Sequence, residues 1–382
     1  MKTNKLFGAA ILIAGIMLAF AFTACRDKDG EEEVDSSWQW TAVQTWPFGG
    51  SSGISAIAYG GGKFVAADYN GKMAYSANGE SWTAVDDSPF HYNNGYFGHS
   101  YSYGIYAIAY GSDGNAVNKW VAGGSGGKLA YSSDGETWTA VDDSPFSDNN
   151  GYSGGGHIYA IAYSGGKFVA VGYGDNYPSN NQCQIAYSSN GEDWTAVEKA
   201  KWPFIAGSYD SINAIAYGDG KFVAGGSDGR MAYSTDGENW TAVANSTFGY
   251  DYIEVITYGG DRFVAAVGDG SSVKIAYSTD GVTWTAVSNS PFGVVAGSKY
   301  DSGYESGAIA YGNGRFVGVA TYYYEDKYDE YGQVKMAYSS DGASWTTVSS
   351  STFDKWYVSG IAYGGGRFVV VGDSGGIAYA DW

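Results

Sequence analysis

Cysteine is nearly absent from this chain: Cys25 and Cys183 are the two sulfhydryls in 382 residues. A disulfide framework is thereby excluded as the source of stability, and so is a multi-cysteine metal knuckle. Histidine is also scarce, with His91, His99 and His157 the full set, and proline occurs six times. Cationic side chains number 21 against 40 acids, for a net charge of −19. A polyanion of that size repels nucleic acid and anionic head groups, so neither is an expected partner. Beyond residue 24 no apolar period of 3.6 is visible, which excludes a helical fold. No phosphate loop, nucleophile elbow or zinc motif occurs, and no cofactor is expected.

What the chain does hold is 59 glycines, 35 tyrosines and a recurring phrase. Ser-x-Asp-Gly-x-x-Trp stands at residues 132–138, 234–240, 278–284 and 339–345, and with Asn for Asp at 76–82 and 188–194. Self-similarity spaced by some tens of residues means a repeat architecture. Each unit resolves into four short segments, as in Ala214-Ile215-Ala216-Tyr217, Lys221-Phe222-Val223-Ala224, Arg230-Met231-Ala232-Tyr233-Ser234 and Trp240-Thr241-Ala242-Val243. All are rich in Val, Ile, Tyr, Phe and Trp and bounded by Gly, Asp, Asn or Ser, which is a strand-turn pattern. Segments such as Phe168-Val169-Ala170-Val171 are apolar on both alternating faces, so the sheets stack face to face.

Counting settles the architecture. The Ala-Ile-Ala-Tyr segment occurs around Tyr59, Tyr110, Tyr163, Tyr217, Tyr258, Tyr311 and Tyr363. The Trp-Thr segment begins at Trp40, Trp82, Trp138, Trp194, Trp240, Trp284 and Trp345, also seven times. The two sets are out of phase: the chain opens on an orphan fourth strand and closes on a unit that lacks one. A ring in which the N-terminal strand completes the last blade explains both ends. The expectation is an all-β, seven-bladed β-propeller with four-stranded antiparallel blades.

The N-terminus reads as a separate segment. Lys2 and Lys5 precede an apolar run over residues 6–22, a signal-peptide pattern. Phe22-Thr23-Ala24-Cys25 resembles a bacterial lipobox, which implies acylation of Cys25 and an exported, membrane-anchored lipoprotein, periplasmic or on the cell surface. The expected domains are residues 1–24 as lipoprotein signal peptide, 25–37 as an acidic disordered tether and 38–382 as the propeller. Loss of residues 1–24 removes two lysines and no acids, which makes the mature chain more acidic still.

The repeated phrase resembles the Asp-box (BNR) repeats of the sialidase-like propeller superfamily, over essentially residues 38–382. Those repeats place Ser-x-Asp-x-Gly-x-x-Trp at the turn between third and fourth strands; the phrase here is one residue shorter. The resemblance implies the fold and, as the superfamily's named activity, sialidase. That chemistry requires three arginines converging on a substrate carboxylate. Here Arg26 lies in the tether, and Arg230, Arg262, Arg315 and Arg367 fill repeat positions occupied by lysine in other units, so no triad is assignable and the reading leans away from an enzyme. A two-carboxylate glycoside hydrolase and a non-catalytic envelope scaffold stand as alternatives. The box Asp residues read as turn-formers, because Asn at 78 and 190 keeps the acceptor oxygen without the charge.

Alternating strand direction sorts the connections onto two faces. Those between first and second and between third and fourth strands are short and stereotyped. All length variation falls on the other face, where function on a rigid scaffold usually lives. Its excursions are rich in tyrosine, among them Tyr92, Tyr106, Tyr159 and Tyr173. The candidate ligand-binding residues are Tyr96, Tyr101, Tyr103, Tyr152, Tyr177, Tyr322, Tyr323, Tyr324 and Tyr328, with a glycan or a protein as partner. Phe48, Phe90, Phe146, Phe204, Phe248, Phe292 and Phe353, one per unit, read as wedges between blades. The three histidines lie in two adjacent connections of the variable face without tight ligand spacing, so no metal site is expected.

Overall fold

The computed structural model describes residues 39–43, 46–49, 53–92, 101–114, 118–147, 156–174, 183–203, 211–268, 273–292, 304–326, 329–348 and 357–381. These form seven four-stranded antiparallel sheets, with no α-helix among the described residues. Blades 1 to 7 begin with the strands Ile54–Gly60, Ile105–Ser112, His157–Ser164, Ile212–Gly218, Ile253–Gly259, Tyr304–Gly312 and Val358–Gly364. The seventh blade is completed from the other end of the chain. Thr41–Ala42 pairs antiparallel with Ile377–Asp381, Thr41 opposite Tyr379 and Ala42 opposite Ala378, and the Val43 amide donates to the Ile377 carbonyl at 2.8 Å. The ring is closed as the phase of the repeats requires.

Seven hydrophobic clusters hold the described residues together, one at each blade-to-blade interface. Second strands supply their centres: Phe168, Val169, Ala170 and Val171 are each fully buried, as a strand sandwiched between two neighbouring sheets must be. The fourth-strand tryptophan of a blade joins the cluster shared with the preceding blade. Trp40 does this for the closing blade, packing with Val317, Val319 and Met336 of blade 6 and Val358 and Phe368 of blade 7. Phe90, Phe146, Phe248 and Phe292 are buried in such clusters, as wedges should be; Phe48 is half-buried, outside the clusters and edge-on to Trp46 at 5.1 Å, and Phe204 and Phe353 lie outside the described residues.

A second device repeats around the ring. The glycine that ends a first strand lies under the Ala-Tyr tyrosine of the next blade. A Cβ at Gly60, Gly218, Gly259 or Gly312 would sit 2.0–2.2 Å from the ring of Tyr110, Tyr258, Tyr311 or Tyr363. Gly364 of blade 7 receives Tyr59 of blade 1 in the same way, which carries the pattern across the closure.

The third-to-fourth turns are one hydrogen-bonded unit made six times. In blade 5 the Ser278 hydroxyl accepts the Gly281 amide at 2.8 Å, and Asp280 Oδ1 accepts the amides of Val282 and Thr283 at 2.8 and 2.7 Å. Trp284 Nε1 then donates to the Gly281 carbonyl at 3.3 Å, and Gly281 adopts φ +70°, a region that disfavours other residues. Asn78 and Asn190 accept the same pair of amides as the aspartates do. The box residue is thus a turn-former in every blade that has one. Arginines and lysines at the start of the second strands cross to the following box turn: Lys167 to Glu238 at 2.6 Å, and Arg367 of blade 7 to Glu80 of blade 1 at 2.6 Å.

This geometry predicts an acid response. Burial opposes the charge on Asp280, but the amides of Thr283 and Val282 and the Ser278 hydroxyl outweigh it and lower its pKa from 3.8 to about 2. Asp134, Asp236 and Asp341 are lowered by the same balance. A carboxyl held below its unfolded value stabilises the fold above that value and loses the contribution as pH falls through the folded one. The window here is about pH 4 down to about pH 2. Changing all four to Asn, the residue nature uses at 78 and 190, is expected to flatten the fall in Tm across that window while Tm at neutral pH barely moves. Thermal melts of the two proteins over a pH series check it; parallel curves would refute it.

Candidate functional site: the mouth of the central channel

First strands start, and second strands end, on the face that carries the variable connections. Six of the seven first strands break register there at an equivalent point. The residue left without a partner on the second strand is Ser55, Tyr106, Tyr159, Asn213, Glu254 and Ser359 in blades 1, 2, 3, 4, 5 and 7. In blade 6 the break falls two residues earlier, at Glu305, and Gly307 takes the equivalent place. Such bulges re-aim a side chain and are common beside functional sites. Here Ser55, Tyr106, Tyr159, Glu254, Gly307 and Ser359 all line a cavity of about 230 Å³ in the middle of the ring. Its deeper wall is apolar, made by Ile57, Ile108, Ile161, Ile309 and Ile361 with intervening alanines.

The serines have a structural use. Ser359 donates to the Ile54 carbonyl of blade 1, and Ser55 donates to the Ile105 carbonyl of blade 2, each stitching one inner strand to the next. Blades 2, 3 and 5 give up that stitch for Tyr106, Tyr159 and Glu254.

From Tyr106 an aromatic arc spreads over blades 1 to 3. Its ring lies 6.1 Å from Tyr69, 6.0 Å from His157 and 6.0 Å from Tyr159. His157 stacks on Tyr159 at 5.9 Å and 9°, and continues to Tyr173 at 6.5 Å. Tyr69 is 53 % exposed. Burial, and then the neighbouring phenol of Tyr106, raise the pKa of Tyr69; burial, Tyr106 and Tyr173 raise that of Tyr159. Both stay protonated hydrogen-bonding phenols, the reverse of an activated tyrosine nucleophile. Across the mouth, Glu254 is exposed, and Tyr252, two residues before it, is 56 % exposed. Beneath the arc, Asp68 is fully buried; its Oδ1 accepts the amides of Asn70 and Lys72 at 2.9 and 2.8 Å, and it makes no ion pair among the described residues.

The sequence-derived candidates divide. Tyr96, Tyr152, Tyr177 and Tyr328 lie outside the described residues, as does Cys25 with residues 1–38. Tyr101 sits in a two-stranded hairpin, Tyr101–Ser102 against His91–Tyr92. Tyr322, Tyr323 and Tyr324 fall where a loop was expected, but Arg315–Asp326 and Asp329–Ser339 continue pairing there to Asp326 opposite Asp329. The tyrosine-rich composition that marks the segment also favours strand. Tyr103 is described in full: it packs with the cluster between blades 1 and 2, and the Lys128 ammonium lies 3.9 Å from its ring centre. Tyr69, Glu254 and Tyr252 escaped the sequence reading. The signal was present at Glu254, since the position before Ala-Ile-Ala-Tyr is the variable one in an otherwise regular segment.

Other candidates resolve into structure. Arg262, Arg315 and Arg367 lie over the rings of Tyr277, Tyr338 and Tyr379 at 4.9, 4.9 and 4.5 Å, in the second and third strands of their own blades. Among the described residues no three His, Cys, Asp or Glu side chains converge on a metal position. Cys183 is buried, and burial pushes its thiol up to about 12. No helix of the described residues is long and apolar enough to cross a membrane.

The chain matches no protein-family profile, and no curated protein matches it. Solved structures do resemble it in shape. YCF48 bound to D1 peptide has a TM-score of 0.57 at 13 % identity, over 91 % of this chain and 96 % of that one. The GH74 xyloglucanase of Xanthomonas campestris has a TM-score of 0.58 at 16 % identity, over 89 % of this chain and 53 % of that one. The WD40 β-propeller domain of Doa1 has a TM-score of 0.54 at 11 % identity, over 90 % and 96 %. At such identities the likeness is one of fold.

Proposed function

We propose that this protein is a binding propeller, exported and anchored through Cys25, which captures a glycan or protein partner on the variable face at the mouth of its channel. The observation that carries the reading is the exchange of a stitching serine for Tyr106 and Tyr159 at the bulge, continued by Tyr69, His157 and Tyr173 into one arc. Aromatic groups of this kind offer rigid amphipathic area at low entropic cost, the property shared by paratopes and sugar platforms. The YCF48 structure, with its bound peptide, is consistent with a protein partner on such a ring.

The test is the double substitution Tyr106→Ala/Tyr159→Ala, screened on a glycan array and an immobilised peptide library beside the parent protein. Ligands captured by the parent are expected to bind the variant roughly tenfold or more weakly, as for loss of central interface anchors. Tm should move by only a few degrees, because each ring is partly exposed and lies outside the seven buried clusters. Unchanged capture would remove the mouth as the binding face.

A further inference from the structure

Resting on that reading, we propose that the ligand is an extended polypeptide segment bearing lysine or arginine, with one basic side chain engaged at the channel mouth beside Glu254. Three observations converge. The cavity, at about 230 Å³, is smaller than the usual small-molecule pocket of about 300–1,000 Å³ and has the scale of a single side chain. Its wall, through Ile57, Ile108 and Ile161, is apolar and suits an aliphatic stem, while its rim supplies a carboxylate and phenol rings that suit a cationic head. Among the described residues lining it, Glu254 is the charged one.

The second observation concerns the arc itself. Around Tyr106 its rings are tilted, Tyr69 to Tyr106 by 56° and Tyr106 to Tyr159 by 37°, while His157 stacks on Tyr159 at 9°. The tilted rings on either side of Tyr106 form clefts between themselves, which fit side chains. The third is charge. The chain carries −19 overall, with buried Asp68 under the arc and no Lys or Arg among the described residues that line the cavity. Lys167 and Arg367 meanwhile are tied to Glu238 and Glu80 at the box turns of the opposite face. A field of that sign steers a basic segment in and an acidic one away.

The experiment uses the full chain and three fluorescent probes: a short Lys/Arg-containing peptide, the same peptide with Glu at the basic positions, and a neutral oligosaccharide. Anisotropy titrations at low and high salt are expected to show binding of the basic peptide alone, weakened by salt. Glu254→Gln should weaken it roughly tenfold or more and shrink the salt dependence, with Glu254→Asp restoring part of the loss. Equal binding of the acidic peptide, or no effect of Glu254→Gln on the basic one, overturns the proposal. Tyr106-dependent binding of the oligosaccharide alone would overturn it and leave the mouth as a binding face. Binding of any probe that ignores both Tyr106 and Glu254 would sink both readings.

Discussion

Trp40→Ala is expected to cost about 3–5 kcal/mol, the range for truncating a buried aromatic. Deletion of residues 40–43 is expected to abolish the single cooperative transition. Trp40 is 7 % exposed and sits in the cluster that blades 6 and 7 share. Its strand also satisfies the outer edge of Ile377–Asp381, through the Thr41 and Ala42 pairings and the Val43 amide. Without it that edge is an open template for another chain, so the deleted protein should aggregate as its concentration rises. Thr41→Ala, an exposed change on the same strand, should leave stability within about 0.5 kcal/mol and serves as the control. Urea melts with light scattering decide the matter, and a deletion protein as stable and monodisperse as the parent would refute ring closure by this strand.

Gly364→Val should be nearly as damaging, at about 3 kcal/mol or the upper end for overpacking. No left-handed backbone is involved at this position; the constraint is approach. A Cβ there would stand 2.0 Å from Cγ of Tyr59, whose ring in turn packs on Phe64 at 4.7 Å. Neither ring has room to retreat, since Phe64 is fully buried in the cluster between blades 7 and 1. Tyr59→Ala removes the obstruction, so the double variant should recover much of the loss in a double-mutant cycle. Additive penalties in urea denaturation would mean that the glycine acts through some other contact.

Much of this architecture was legible without coordinates. The box turns are local: serine, Asp or Asn, glycine and tryptophan within seven residues make every bond of the unit, so their spacing alone identified them. The alternating apolar second strands announced burial on both faces, and the out-of-phase ends announced which strand completes which blade. The tyrosines were another matter. Tyr59 and Tyr110 serve the blade interfaces, Tyr103 lies under Lys128, and Tyr69, Tyr106 and Tyr159 meet at the mouth. Composition ranks them alike. Loop richness pointed to the face that carries the arc but selected residues mostly beyond it, because richness measures how much tyrosine a segment has and carries no record of where each ring is aimed.

The sequence by itself determined seven blades, four strands in each, the closing strand and the face on which variation gathers. Those properties follow from period and phase, and each repeat carries its own copy of the instruction. Only the tertiary structure decided the mouth. The unpaired bulge residues of blades 1, 2, 3, 5 and 7 line the cavity there, so residues from blades far apart in the chain meet. That convergence is a long-range consequence of closing the ring, and no stretch of one repeat encodes it.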